Sequence, residues 1–235
     1  MNMKISVALA AYNGEKYIGE QIESILPQFG RDDEIVVSDD NPAGKTRAAV
    51  EFYSAYDGRV RYVEGTGEGV CRNFENAILN CSGDVIFLCD QDDVWLPNKV
   101  ERVMKAIENG ADVVLHDAMM TDGELNVTDE SFFSLNGSKR GFVRNFLKNS
   151  YMGCCMAFRR DFESAFMPFP KDLAMHDWWI GLNAELKGKV EFIYEPLIKH
   201  RCHGGNVTGG KTTAAQKISW RIQMARDILR YKNAD

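Results

Sequence analysis

Strand-like and helix-like segments alternate five times within about 115 residues of the start of the chain, and this rhythm restricts the folds open to it. Short apolar runs predict strands at residues 4–10, 34–38, 59–63, 84–89 and 111–115. Apolar residues at helical spacing predict helices at residues 18–27, 46–56, 70–79 and 97–109. This alternation is typical of parallel strands covered by helices on both faces, so the sequence predicts an α/β fold.

Acidic residues follow the ends of two of these predicted strands. Asp39 and Asp40 come directly after the second strand, and the stretch VIFLCDQDDVW leads from the fourth strand into Asp90, Asp92 and Asp93. Parallel α/β sheets bind ligands at the carboxyl ends of their strands. We therefore expect these carboxylates to gather at one edge of one sheet.

The three carboxylates of the DQDD stretch admit three interpretations. Aspartate is favoured at helix N-termini, but one carboxylate is enough to cap the helix predicted after it. Crowding three carboxylates raises their pKa values, which favours a divalent cation such as Mg²⁺ or Mn²⁺. The third interpretation is the DxDx[TV] signature of haloacid-dehalogenase-type phosphatases, with Asp90 as nucleophile and Asp92 as general acid and base. Those chains usually carry the motif on their first strand and a later Asp–Asp pair, and this sequence departs from both.

Charge and cysteine usage narrow the class of protein further. The 28 basic and 34 acidic residues give a net charge of −6, which argues against a general nucleic-acid binder. The apolar runs are far shorter than a membrane span, and no signal peptide opens the chain. The six cysteines contain no CxxC pair. We therefore expect reduced thiols in a cytoplasmic protein.

The rhythm of strands and helices changes beyond residue 116. Residues 117–141 are polar and turn-rich. The predicted elements after them are a strand at 154–158, a helix at 176–186, and extended segments at 190–194 and 196–203. Residues 204–211 form a glycine-rich loop that we expect to be mobile. One face of a basic terminal helix then carries Ile218, Ile222, Ala225 and Leu229.

Five segments, taken together, resemble the motifs of family-2 inverting glycosyltransferases. They are SVALAAYNGEKYIGEQIESIL, VVSDDNPAGKT, GVCRNFENAI, FLCDQDDVWLPNKV and MHDWW, and they follow the family's order and intervals over roughly residues 3–205. The resemblance implies a GT-A fold, in which a Rossmann-like, mostly parallel sheet is flanked by helices and joined by a smaller acceptor-side region. It also implies a UDP- or dTDP-linked sugar donor and Mn²⁺ or Mg²⁺. The acidic CDQDDVW form most resembles rhamnosyltransferase-like enzymes of bacterial surface polysaccharides such as O-antigen.

The resemblance implies a role for each matching residue. The positions that match nucleotide-sugar-binding residues are Ala11, Tyr12, Glu15, Asp39, Asp40, Arg72, Asp90 and Gln91. Asp90 and Asp92 match the DxD metal signature, and Asp93 stays open between metal and sugar. His203 matches a late histidine that reaches the metal or the diphosphate in some relatives. Asp177 matches the catalytic base, which takes the acceptor's proton while the acceptor oxygen attacks with inversion at the anomeric carbon.

Two departures from the family pattern are visible. SDDNPAGKT stands where the family usually has SDDGSTDGT, and His176 stands where an acid usually precedes Asp177. Three alternatives therefore stay open: Asp177 as a helix cap, His203 as an ordinary loop residue, and a non-catalytic nucleotide-sugar-binding homologue.

The resemblance also implies how the chain is divided and what it contacts. Residues 1–116 would form the nucleotide-sugar-binding half, 117–210 the acceptor-side half of the same domain, and 211–235 a C-terminal amphipathic helix. The implied acceptor is a glycan or a lipid-linked glycan, and no nucleic acid is expected. Peripheral contact with the inner face of the membrane and a homodimer both stay open.

Overall fold

The computed structural model describes residues 3–204 and 213–232, and the strands of this part form one nine-stranded sheet. The strands are β1 Ile5–Ala11, β2 Glu34–Asp39, β3 Val60–Glu64, β4 Val85–Asp90, β5 Val94–Trp95, β6 Val113–Thr121, β7 Val127–Asp129, β8 Met156–Arg159 and β9 Val190–Arg201. They lie in the order β3-β2-β1-β4-β8-β6-β9-β5, and β7 pairs with β6.

The first half of the sheet is parallel. β3, β2, β1 and β4 pair side by side in one direction, as the alternation predicts. Every residue of β1 and β2 is buried, which requires cover on both faces of the sheet and explains their continuous apolar sequences. The predicted α/β class is therefore confirmed.

The second half of the chain completes the same sheet. β8 lies between β4 and β6 and runs antiparallel to both. β9 pairs in parallel with β6 and antiparallel with β5. The two extended segments predicted around residue 195 are one strand, β9, which pairs with β6 along its whole length. The pairing shifts register where Asp117 faces Pro196 and then continues. Proline has no N–H to give to a ladder, which is why the sequence there indicates a break.

Three strands differ from the prediction in length or existence. β6 runs Val113–Thr121, well beyond the predicted end at Leu115, because its second half pairs with β9 and β7. β5 has two residues and β7 three, which is too short for periodicity to reveal.

The helices agree with the prediction where they are long. They are α1 Ile18–Ile25, α2 Thr46–Ser54, α3 Val70–Asn80, α4 Lys99–Glu108, α5 Phe132–Asn136, α6 Phe142–Leu147, α7 His176–Lys187 and α8 Ala214–Lys232. The short helix α5 lies inside the stretch predicted to be turns. The loop predicted at 204–211 lies outside the described residues except for Gly204. All six cysteines are unpaired, as predicted.

The terminal helix α8 packs on the protein through Met224 and Ile228, which are buried. The apolar face that the sequence singles out, with Ile218, Ile222 and Leu229, is exposed instead. Among residues 3–204 and 213–232, no helix combines the length and the apolar character that crossing a membrane requires.

Candidate active site at the carboxyl edge of the sheet

Parallel pairing of β1, β2 and β4 brings three polar motifs to one edge of the sheet. Ala11 lies opposite Asp39, and Ala10 lies opposite Asp90. Each of the three strands ends where its polar motif begins. This edge is the one at which parallel α/β sheets bind ligands.

Tyr12 and Gln91 connect the ends of β1 and β4. The Tyr12 backbone N–H donates to Gln91 Oε1 at 2.8 Å, and Gln91 Nε2 donates to the Tyr12 carbonyl at 3.0 Å. A Cβ at Gly14 would lie 2.2 Å from Gln91 Oε1, so a larger residue there would displace the Gln91 side chain from its hydrogen bonds with Tyr12. The Tyr12 ring is 60% exposed and Glu15 is exposed, so both are accessible to a ligand.

Asp40 holds the glycine-rich turn between β3 and α3. Its two carboxylate oxygens accept hydrogen bonds from the N–H groups of Gly67 and Gly69, each at 2.8 Å. Both glycines have positive φ, 71° and 92°, a conformation that a side chain would strain. Asp40 therefore fixes the position of this turn beside the edge.

Asp39 is fully buried, and both of its oxygens have partners. Oδ1 accepts from the Asn41 N–H and Oδ2 from the Tyr62 hydroxyl, each at 3.1 Å. Burial raises the pKa of Asp39 above its ordinary value, and these hydrogen bonds only partly oppose that effect. The carboxylate supports the end of β2 from inside.

Arg72, near the start of α3, has both terminal guanidinium nitrogens bonded within the chain. Nη1 pairs with Glu75 and also donates to the Phe169 carbonyl at 3.3 Å, and Nη2 donates to the Pro170 carbonyl at 2.7 Å. The guanidinium therefore connects α3 to the segment that precedes α7.

Asn73, its neighbour, reaches the edge of the sheet directly. Asn73 Nδ2 donates to the carbonyls of Ala11 at 3.0 Å and Ser38 at 2.9 Å, which joins the ends of β1 and β2. Its place beside Arg72 in GVCRNFENAI was the only signal in the sequence, and the resemblance assigned it no role.

Asp92 and His203 meet across 111 residues of sequence. His203 Nε2 lies 2.8 Å from Asp92 Oδ2, and the imidazole stacks on the Tyr17 ring with 5.0 Å between centroids. Burial, followed by the charge of Asp93, raises the pKa of Asp92, while the bond to His203 lowers it. The structure thus brings together two of the three predicted metal ligands.

Asp93 forms a buried ion pair with His200, a residue that no sequence motif singled out. His200 Nδ1 lies 2.9 Å from Asp93 Oδ1, which also accepts from the Arg201 N–H at 3.1 Å. Burial lowers the pKa of His200, but the carboxylate outweighs it and raises the pKa to about 10. The imidazolium and Asp93 therefore hold the DQDD loop on β9. A histidine three positions before His203 was the only available signal.

Asp90 completes the acidic cluster. Burial raises the pKa of Asp90 well above its ordinary value, and the charges of Asp93, Asp92 and Asp177 raise it further. Asp177, which is distant in sequence, is therefore close enough to interact electrostatically with the DQDD stretch.

The donor atoms around Asp92 fit a divalent cation. Carboxylate oxygens from Asp90 and Asp92 with the His203 imidazole are a donor set that suits Mn²⁺ and, through its oxygens, Mg²⁺. Their mutual repulsion and raised pKa values are what a cation would relieve.

A second cluster lies deeper. Ligand atoms of Asp93, Cys154 and His200 lie within 4.8 Å of one another. Hydrogen bonding to Cys155, together with burial, raises the pKa of the Cys154 thiol well above its ordinary value. A protonated thiol is a poor ligand for a hard cation, so this cluster fits Mn²⁺ or Mg²⁺ less well than the first.

Asp177 stands in the first turn of α7 and is half-buried. Burial raises the pKa of Asp177 to about 6, although the Trp178 N–H donates to Oδ1 at 2.6 Å. The carboxylate is therefore mostly ionised at neutral pH yet binds a proton more readily than an exposed aspartate. That combination suits a general base.

Two other candidates for the base suit that role less well. His176 is buried, stacks on Phe74, and has its pKa lowered to about 3 by burial. Asp117 accepts hydrogen bonds from the Ala118 and Phe133 N–H groups, each at 2.8 Å, and so fixes the start of α5. His176 is therefore a weak base at neutral pH, and the Asp117 carboxylate is engaged with the backbone at the start of α5.

Comparison with known families identifies the class of protein to which this chain belongs. The sequence profile of glycosyl transferase family 2 matches residues 6–166. The chain belongs to that family.

Two curated relatives show how far the likeness extends. An uncharacterised glycosyltransferase of Nostoc sp. is 26% identical over 215 residues, which cover 87% of this chain and 66% of that protein. The dTDP-rhamnosyl transferase RfbG of Shigella flexneri is 25% identical over 236 residues, which cover 93% of this chain and 79% of that protein. The chain thus spans slightly less than two thirds of the Nostoc protein.

Solved structures share the fold at low sequence identity. Staphylococcus aureus TarS, crystallised with UDP-GlcNAc, superposes with a TM-score of 0.73 at 18% identity over 97% of this chain and 66% of that chain. Glucosyl-3-phosphoglycerate synthase of Mycobacterium tuberculosis, crystallised with Mn²⁺, UDP and phosphoglyceric acid, superposes with a TM-score of 0.62 at 18% identity over 98% and 78%. The fold is GT-A, as the resemblance implied.

Proposed function

We propose that this protein transfers a sugar from a UDP- or dTDP-linked donor to a glycan or lipid-linked acceptor, with inversion at the anomeric carbon, in the assembly of a bacterial surface polysaccharide. The observation that carries the proposal is the contact between Asp92 and His203 at the carboxyl edge of the sheet, with Asp90 and Asp177 close enough to interact electrostatically. The names of the two relatives and the ligands of the two solved structures support it.

The nucleotide binds along the ends of β1 and β2. The exposed Tyr12 ring and Glu15 are accessible there. Gln91 and the Ala11 backbone set the position of the turn that carries these two side chains. Asp40 holds the glycine-rich turn that would border the base and the ribose. Asp39 supports this region from the end of β2. Arg72 supports it by holding the segment that precedes α7.

Asp92, His203 and Asp90 would hold the divalent cation. A bound Mn²⁺ or Mg²⁺ would supply the positive charge that offsets the charge of the departing diphosphate. The His200–Asp93 ion pair keeps the DQDD loop in place, so that Asp92 need not be ordered when the donor arrives.

Asp177 takes the proton from the acceptor hydroxyl as that oxygen attacks the anomeric carbon. It stands in the first turn of α7, near enough to influence Asp90 electrostatically. The pKa of about 6 leaves it ionised and able to accept a proton at neutral pH. Together with the six unpaired cysteines, the nucleotide-sugar donor suits a cytoplasmic protein.

Titration calorimetry with UDP and dTDP, with and without Mn²⁺, tests the proposal. We expect Mn²⁺ to strengthen nucleotide binding, because the acidic cluster alone repels a diphosphate. Asp92→Asn should remove most of that gain, about tenfold or more. The matched control is Asp32→Asn, at an exposed position, and it should bind the nucleotide like the wild type. Equal affinity with and without metal contradicts the proposal. So does steady hydrolysis of p-nitrophenyl phosphate that Asp90→Asn abolishes, which would point to a phosphatase.

A further inference from the structure

Helix α8 presents an apolar stripe that no described residue covers. Ile218, Ile222 and Leu229 are 58%, 49% and 61% exposed, and their spacing of four and seven residues puts them on one face. The opposite face of α8 packs on the protein through Met224 and Ile228. The stripe therefore does not contribute to the core.

Helix α6 adds to this stripe. Val143 and Leu147, one turn apart, are 70% and 60% exposed. The Arg221 guanidinium donates to the Leu147 carbonyl, which places the end of α6 against α8. We call these two helices, with the basic residues Lys139 and Arg140 before α6, the α6–α8 surface.

Basic residues are concentrated on the same two segments. Residues 139–148 and 214–232 contain nine of the 28 Lys and Arg residues and one of the 34 Asp and Glu residues. The remainder of the chain has 19 basic and 33 acidic residues. At helical spacing, Arg226 and Arg230 border the α8 stripe on one side and Arg221 borders it on the other. An acidic protein thus carries one strongly basic surface with exposed apolar side chains.

We infer that the α6–α8 surface docks on a lipid bilayer that contains anionic headgroups. Apolar side chains bordered by Lys and Arg are what an interfacial helix uses to enter the headgroup region. A soluble polyanion would pair with the basic residues but leave the aliphatic stripe in water. A second copy would bring two surfaces of equal positive charge together. The bilayer is the partner that satisfies both features.

The docking surface lies beside the proposed base. Trp178 follows Asp177 in the chain, and its Nε1 donates to the Asn145 carbonyl of α6 at 2.8 Å. The Arg221 guanidinium of α8 lies 5.9 Å from the centre of the Trp178 ring. A bilayer held by this surface would bring a lipid-linked acceptor toward Asp177. In this last respect the inference rests on the proposed function, whereas docking itself does not.

Co-sedimentation of the full chain with vesicles tests the inference. The vesicles are phosphatidylcholine alone or phosphatidylcholine with phosphatidylglycerol, at about 0.1 M and about 0.5 M NaCl. We expect binding to the phosphatidylglycerol vesicles at low salt, with a large loss at high salt, because screening weakens the attraction of the basic residues.

Two matched pairs of variants separate the apolar and charged contributions. Ile222→Ser should weaken partitioning of the protein onto the vesicles about tenfold. Arg226→Gln should weaken it about fivefold, because each basic residue contributes about 1 kcal/mol near an anionic surface. The controls are Leu79→Ser and Lys105→Gln, which change exposed helical residues away from this surface. Both controls should bind like the wild type, and all four should melt like it because the changed side chains are exposed.

Three outcomes would overturn the inference. One is absence of binding to phosphatidylglycerol vesicles by a chain that melts cooperatively in solution and is therefore folded. The second is equal loss of vesicle binding in Ile222→Ser and Leu79→Ser. The third is a dimer by sedimentation velocity that Ile222→Ser dissociates, which would assign the stripe to a second copy. Vesicle binding is measured without nucleotide, so failure of the proposed catalytic site would leave this result unchanged.

Discussion

At the scale of single residues, Asp177 shows how burial and a helix terminus act against each other. The N–H groups at the start of α7 favour the charged carboxylate, and the bond from the Trp178 N–H to Oδ1 is 2.6 Å long. Burial acts in the opposite direction and wins, so the pKa rises to about 6. The place of Asp177 at the start of a helix by itself favours an ionised carboxylate. The structure adds that this base has an unusually high proton affinity.

Sugar transfer should therefore depend on pH through Asp177. With donor, acceptor and Mn²⁺ saturating, we expect kcat to rise as pH increases through about 6 and to level off above it, because only the ionised carboxylate accepts a proton. Asp177→Asn should lower kcat by roughly 10²-fold and should leave nucleotide affinity unchanged. The measurements are a transfer assay across pH 5 to about 8 and calorimetric titration with UDP.

Asp172→Asn, at an exposed position shortly before α7, is the control and should behave like the wild type. If Asp177 only capped the helix, its replacement would lower the melting temperature by an amount worth about 1 kcal/mol and keep transfer near normal. That pattern would refute the role of Asp177 as base.

At the scale of elements, Glu34 fastens the start of β2 to its neighbours. Its Oε1 accepts from the hydroxyl groups of Ser6 at 2.8 Å and Ser82 at 2.6 Å, and Oε2 pairs with Arg61 at 2.5 Å. Burial raises the pKa of Glu34, but these hydrogen bonds outweigh it and lower the pKa to about 2. One carboxylate thus joins β1, β3 and the loop before β4.

This low pKa predicts how the stability of the fold depends on pH. Because the folded pKa lies below the unfolded value of 4.5, the stabilisation is complete above pH 4.5 and is lost as pH falls toward about 2. A shift of this size corresponds to about 3 kcal/mol in the free energy of unfolding, as an order of magnitude. Urea unfolding of the wild type and Glu34→Gln at several pH values measures it.

The variant should be less stable than the wild type at pH 7, and the difference should shrink as pH falls below 4.5. Exposed Glu101→Gln should follow the wild-type curve throughout. A difference between wild type and Glu34→Gln that stays constant with pH would mean that the carboxylate is not what stabilises these strand ends.

At the scale of the whole molecule, the sheet joins the two halves of the chain. β8 fills the place between β4 and β6, and β9 fills the place between β6 and β5. Buried apolar residues of these late strands, among them Phe158, Leu197 and Ile198, belong to the same core as β1 and β4. The segment of residues 1–116 therefore lacks part of its sheet and core until the second half has folded.

A fragment of residues 1–116 should accordingly fail to fold by itself. The outer edge of β4 would be unpaired and β6 would be cut within its length, which leaves backbone groups and apolar side chains in water. We expect a poorly dispersed ¹H–¹⁵N spectrum and no cooperative thermal transition. The full chain, measured in parallel, should melt in one cooperative transition. A well-dispersed, cooperatively melting fragment would show that this half is an independent domain.

Local pattern was enough to determine the α/β class and the parallel first half of the sheet. Apolar runs of strand length and apolar residues at helical spacing depend only on near neighbours in the chain. Since parallel strands end at a common edge, the sequence also placed Asp39, Asp40 and Asp90 at strand ends along one edge, where the structure has them.

Only the tertiary structure decided which distant residues meet there. The Asp92–His203 and Asp93–His200 contacts span 111 and 107 residues, and they depend on the register between β5 and β9, which no local period encodes. Likewise the insertion of β8 beside β4, the outward-facing stripe of α8 and the pKa of Asp177 follow from packing and burial. These are properties of surfaces in contact, so they come into existence only when the whole chain has folded.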